Sequence, residues 1–127
     1  MINPMALSGK TILVTGASSG IGRAVSILVS RLGASVILVG RDSERLNKTL
    51  AMMEGPDHAI QPFDLTQLDR IPEWMKAVTS TSGQLNGFVH CAGIERTRAV
   101  RYETVATVEE TMKINVYSMI FLAKQFV

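Results

Sequence analysis

A single cysteine, Cys91, is all the thiol that the 127 residues carry. No disulfide can therefore form within the chain, and this cysteine usage fits a cytoplasmic location. An excess of one charge is missing too: 13 Lys and Arg against 11 Asp and Glu leave a formal net charge of +2. No basic stripe interleaved with aromatics is present, so nucleic acid is not an expected partner. No uninterrupted run of about eighteen apolar residues is available to span a bilayer, so no membrane partner is expected. Met1 to Lys10 lacks the apolar stretch of a signal peptide. No metal site, internal repeat, linker or low-complexity tract is expected either. What remains is the composition of one folded domain, 46% hydrophobic and 19% charged. A chain of this length hides roughly two-thirds of the surface that its unfolded form exposes.

Hydrophobic periodicity divides the chain into alternating strands and helices. Thr11-Ile-Leu-Val-Thr15 reads as a buried strand ending at Gly16. Ile21, Ala24, Val25, Leu28, Val29 and Leu32 then share one face of a helix that Gly33 closes. Ser35 to Val39 is a second buried strand, and Leu46, Leu50 and Met53 mark a second helix stopped by Gly55-Pro56. His58 to Phe63 reads as a third strand. Its Pro62 cannot donate a ladder hydrogen bond, which puts this strand at or near a sheet edge. Thr66 is the expected cap of a helix carrying Leu68, Ile71, Met75 and Val78. Leu85 to His90 is a fourth strand, Gly93 to Glu103 a loop, and Thr107-Val-Glu-Glu110 a capping box opening a last helix, about 107–127. The order β-α-β-α-β-α-β-α argues for an α/β fold, a parallel sheet covered by helices on both faces.

Between the first strand and first helix stands Thr15-Gly16-Ala17-Ser18-Ser19-Gly20-Ile21-Gly22. Gly16 permits a sharp exit from the strand. Gly20 and Gly22 remove side chains where backbone must approach a pyrophosphate and where helix must pack on strand. The helix then offers free N–H groups and the positive end of its dipole to phosphates. This spacing is not the P-loop, and Arg23 rather than Lys follows Gly22, which disfavours a nucleotide phosphotransferase. The alternative is a glycine turn that only packs.

The end of the second strand decides which dinucleotide fits. An acid there binds an adenosine 2′-hydroxyl and repels a 2′-phosphate. Here Val39 leads to Gly40 and Arg41, and a guanidinium can grip a phosphate and stack on adenine. NADP(H) is therefore favoured over NAD(H). The alternative is a solvated arginine at the start of the next helix, with Asp42 as that helix's cap.

Together these residues resemble the N-terminal half of the short-chain dehydrogenase/reductase family, from about Ser8 to Val127. Thr15 to Gly22 is similar to that family's TGxxxGIG turn. The resemblance implies a Rossmann-like doubly wound parallel sheet in strand order 3-2-1-4, truncated before a fifth strand. The whole chain, 1–127, would be the NAD(P)-binding part of a larger catalytic domain. Ser18, Ser19 and Ile21 would join the three glycines at the cofactor. The resemblance also puts Asp64 against the adenine amino group and the Leu65 backbone beside the ring. His90-Cys91-Ala92-Gly93 occupies the place of the family's Asn-Asn-Ala-Gly, so Cys91, Ala92 and Gly93 would flank the cofactor ribose, while the sheet-stabilising asparagine side chains are lost. A catalytic His90–Cys91 pair is disfavoured, because neighbouring strand side chains point to opposite faces. Cys91 reads instead as a buried small hydrophobe.

Asn115 resembles the family's helix asparagine, which bends the helix and holds a water in a proton relay. From Ile114 to Val127, 10 of 14 residues are apolar, so a buried amide there needs partners. Without the resemblance, Asn115 could equally be an interfacial asparagine bonded to backbone.

The family's chemistry is hydride transfer between nicotinamide and a small carbonyl or alcohol, with a serine and a Tyr-x-x-x-Lys pair. Four residues after Tyr102 stands Ala106, and four after Tyr117 stands Phe121, so neither tyrosine fits. The resemblance places that pair beyond residue 127 and leaves Asn115 as the chain's catalytic contribution. The alternative is a non-catalytic dinucleotide-binding or self-associating fragment. An exposed fourth strand and an apolar last helix, typically a subunit interface in the family, make a homo-oligomer the expected state.

Overall fold

The β-branched and aliphatic run Thr11–Thr15 forms strand β1, the strand around which the others are arranged. A computed structural model describes residues 2–127. It places β2 (Ser35–Gly40), β3 (Ala59–Pro62) and β4 (Gly87–His90) in one parallel sheet of order β3-β2-β1-β4. Both outer strands are shorter than the sequence suggests: β3 omits His58 and Phe63, and β4 omits Leu85 and Asn86. Phe63 and Asn86 still donate N–H groups to the Gly40 and Thr11 carbonyls, so the pairing frays gradually. Pro62 lies opposite Gly40 on the edge strand, where its missing N–H costs no ladder bond toward a further strand.

Side chains alternate across the sheet, and the core divides accordingly. Leu13, Ile37 and Val39 face helix α3 (Ile71–Ser82), meeting Ile71, Met75 and Val78. Val14, Val36 and Leu38 face the opposite layer and meet Leu46 of helix α2 (Ser43–Ala51). Asp42 caps α2, accepting the Arg45 N–H at 3.1 Å. Thr66 does not cap α3. Its N–H and hydroxyl both donate to Asp64, and a 3-10 turn at Leu68–Arg70 leads into the helix instead.

Helix α1 (Gly20–Arg31) turns a different face inward than its apolar spacing suggests. Gly22, Ser26 and Ser30 are buried, whereas Ile21 and Leu28 are 75% and 56% exposed. Small residues four apart let the helix lie close on the sheet, and the serine hydroxyls are satisfied by the Gly22 and Ile27 carbonyls. Val25 and Val29 flank this strip and pack on the core.

The last helix begins one turn earlier than expected. Thr104, not Thr107, is its cap. Thr107 stands three residues in and completes the capping box, while Glu110 pairs with Arg96 at 2.6 Å. Helix α4 (Val105–Met112) passes through a π turn at Lys113–Tyr117 into α5 (Ser118–Ala123) and a final 3-10 turn. Only one side is covered: Ile114, Ser118 and Leu122 are buried, while Val105, Met119, Ile120 and Phe121 are exposed.

Candidate functional site

The strand order reverses between β1 and β4, and a cleft of about 400 Å³ opens beyond the carboxyl ends of the strands there. Ligands of open α/β sheets bind at such a switch point. The glycine turn forms one wall, through Gly16, Ser18, Ser19, Gly20 and Ile21. Gly16 has φ +64, and an added Cβ would lie 2.6 Å from the Cys91 carbonyl oxygen. Gly22 is not on the wall. It lies beneath it, where a Cβ would come within 2.0 Å of the Gly16 oxygen. Ser19 makes no side-chain capping bond, so the first N–H groups of α1 keep their capacity for an anion.

Arg41, Asp64 and Leu65 come to the same cleft from the ends of β2 and β3, and Cys91, Ala92 and Gly93 from the end of β4. Burial pushes the Asp64 pKa upward, but the two Thr66 hydrogen bonds and the Arg41 charge outweigh it, and the carboxyl stays below its ordinary value. Cys91 is only half-buried, because its segment leaves the sheet at the cleft rather than entering the core. Burial still raises its thiol pKa. A Cys–His pair has no support, since both His90 ring nitrogens face hydroxyls, of Thr15 and Ser118.

Asn115 is not on the wall either. Its amide clamps Ile94, which is, accepting the Ile94 N–H at 2.8 Å and donating to the Ile94 carbonyl at 2.9 Å. The π turn around Asn115 widens the helix at this point, and such turns are frequent at functional sites.

Five further wall residues escaped the sequence reading: Gly40, Arg45, Phe63, Ile94 and Ile114. Arg45 stands four residues beyond Arg41, in the first turn of α2. Phe63 is set by stacking on Trp74, with ring centroids 4.4 Å apart. Arg23 braces the turn from behind, donating to the Ser18 carbonyl at 2.7 Å and to the Thr49 hydroxyl at 2.9 Å. Thr49 in turn donates to the Ala17 carbonyl at 2.7 Å.

Comparison with known proteins joins this geometry to a family. The profile of short chain dehydrogenases matches residues 10–127. The chain belongs to the short-chain dehydrogenase family. An uncharacterised oxidoreductase of Staphylococcus haemolyticus is 29% identical over 115 residues, covering 91% of this chain and 50% of that protein. A fatty acyl-CoA reductase of Acinetobacter baylyi is 32% identical over 120 residues, 91% of this chain and 41% of that one. The crystal structure of a short-chain type dehydrogenase/reductase from Mycobacterium marinum superposes with a TM-score of 0.88 at 28% identity, covering 96% of this chain and 50% of its own. The chain thus spans about half the length of the curated relatives it matches. Membership of this oxidoreductase family implies a nicotinamide dinucleotide cofactor. No helix among the described residues is long and apolar enough to cross a membrane.

Proposed function

We propose that this chain is the cofactor-binding part of an NADP(H)-dependent oxidoreductase that interconverts a carbonyl and an alcohol. The observation that carries the NADP(H) preference is the pair of guanidinium-bearing residues, Arg41 and Arg45, on the cleft wall beyond β2. The acid nearest in sequence, Asp42, is engaged as the α2 cap and is not on that wall. Two cations beyond β2 suit a ribose 2′-phosphate, while the ionised acid on the same wall, Asp64, comes from the end of β3.

The residues present fit such a ligand. Gly20 has open space where a Cβ would stand, and the uncapped N-terminus of α1 lies beside it to receive a pyrophosphate. Asp64, kept ionised, would accept a hydrogen bond from the adenine amino group, with the Leu65 backbone beside the ring. Cys91, Ala92 and Gly93 would flank a ribose. Asn115 would serve catalysis by holding the Ile94 segment and the π turn in place for a proton-relay water. When bound, the cofactor donates or accepts the hydride. A serine and a Tyr-x-x-x-Lys pair, which the family resemblance places beyond residue 127, would handle the proton. The domain 1–127 would then be one part of a larger catalytic domain acting in the cytoplasm. Its exposed last-helix face would serve as a homo-oligomer interface.

Calorimetric titration of Arg41→Ala with NADPH and NADH tests the preference. NADPH affinity should fall by about 10- to 100-fold, as for loss of a charge-assisted hydrogen bond, with NADH little changed. Equal losses for both would remove the assignment.

A further inference from the structure

The family's first sheet asparagine is replaced here by His90, and the hydrogen bonds around that ring admit only one polarity. The Thr15 hydroxyl is fully buried at the end of β1. Its oxygen accepts the N–H groups of Cys91 and Ala92, each at 3.1 Å. Both lone pairs are therefore taken, and the one hydroxyl proton is left for His90 Nδ1, 2.9 Å away. Nδ1 must then be unprotonated, and the neutral ring carries its hydrogen on Nε2. That nitrogen faces the Ser118 hydroxyl at 3.5 Å. Ser118 donates to the Ile114 carbonyl at 2.5 Å, so its oxygen is free to accept. Backbone N–H groups close the chain at one end and a backbone carbonyl at the other, so no member can be reversed.

We infer that His90, as the neutral Nε2–H tautomer, is a positioning residue that fastens the β4 exit to β1 and to the last helix, and that acid releases it. The Cys91 and Ala92 backbone that it secures through Thr15 is cleft wall. A proton gained at Nδ1 would face the Thr15 hydroxyl proton, and Thr15 would have to give up one of its two N–H partners to accept it. Among the described residues the groups that hydrogen-bond to the ring are the Thr15 hydroxyl from β1 and the Ser118 hydroxyl from the last helix, with Ile114 beside Ser118, and none of these is charged. Cys91, next in the chain, has its thiol pKa raised by burial, and Lys113, beside Ile114, is exposed. Burial lowers the His90 pKa below its usual 6.5, against a smaller opposing pull from the Ile114 carbonyl. With the folded value below the unfolded one, the contribution to stability is complete above about 6.5. It is lost as the pH falls from there toward the folded value.

The test uses the full chain, labelled with ¹⁵N, in NMR titrations from pH 7.5 to 5. The His90 ring should show Nδ1 unprotonated and Nε2 protonated at pH 7.5. The Cys91 and Ala92 amide resonances should move with the same midpoint as the ring. The folding equilibrium constant should fall below pH 6.5 by up to tenfold per pH unit, the limit for one proton, which is about 1.4 kcal/mol. His90→Asn keeps an acceptor for Thr15 and a donor for Ser118 but has no proton to gain. It should stay folded and lose this part of the pH dependence, while His58, common to both proteins, cancels in the comparison. An Nδ1–H tautomer, or Cys91 and Ala92 amides that ignore the ring's titration, would overturn the inference, and both are read on the wild-type chain even if the variant does not fold. Only the consequence for cofactor binding rests on the function proposed above. No nucleotide enters the measurement, so failure to bind NADPH and failure of this inference are separate results.

Discussion

Gly20 and Gly22 stand two residues apart in one motif and have different duties. A Cβ at Gly22 meets the Gly16 backbone oxygen at 2.0 Å, a contact that neither α1 nor β1 can relieve without moving apart. A Cβ at Gly20 meets nothing within 4 Å and would project where a phosphate is proposed to sit, at the cost of a positive φ of 53. Gly22→Ala should therefore lower the unfolding free energy by roughly 1–3 kcal/mol, as over-packing does. Gly20→Ala should cost about 1–2 kcal/mol from its left-handed backbone, and should weaken NADPH more than its stability loss accounts for. Urea unfolding beside calorimetric titration separates the two. If the variants lose stability and affinity in the same proportion, the division of duties between the glycines is wrong. The motif already suggests access at Gly20 and packing at Gly22, and the structure adds that the packing contact is with the Gly16 backbone.

At the scale of elements, the last helix owes its place to a few internal attachments. Leu122 is fully buried in the core beside α3, and Asn115 reaches across to both backbone groups of Ile94. Asn115→Ala would leave that N–H and carbonyl without protein partners, and stability should drop by roughly 1–3 kcal/mol in denaturant titration. An unchanged midpoint would mean that water replaces the amide without loss. A bend at Asn115 was expected only through the family resemblance, and its form as a π turn was not legible, because Lys113–Tyr117 carries no glycine or proline to announce it. The helix start was legible only in kind. Thr104 and Thr107 both suit a cap, and it is Thr104 whose hydroxyl reaches the N–H three residues on.

For the molecule as a whole, the β4 edge and the outer face of the last helix are the open surfaces that bear on association. Strand β4 ends the sheet with no neighbour on its far side among the described residues, and Met119, Ile120 and Phe121 are 42%, 52% and 39% exposed along the last helix. Unpaired strand edges and contiguous apolar faces favour association. The 127-residue chain should therefore self-associate, with light scattering at tens of micromolar giving a mass above 13.8 kDa. A monodisperse monomer would count against the proposed interface. Lysine at Ile120, which is already half in solvent, should shift the distribution toward monomer with little cost in stability.

What the sequence determined by itself was local in origin. Strand and helix periods, a turn needing positive φ at Gly16, and a proline that cannot donate from a central strand together specify a parallel sheet with β3 at its edge. They also place the glycine turn at the start of α1. What only the tertiary structure decided depends on residues far apart in the chain. Apolar spacing pointed Ile21 and Leu28 inward, but closeness to the sheet selected the small Gly22, Ser26 and Ser30 instead. Arg23 meets Thr49 across 26 positions, and Thr15 meets His90 across 75. A hydrogen bond of that kind leaves no trace in either residue's neighbours, because its partner is supplied by the fold.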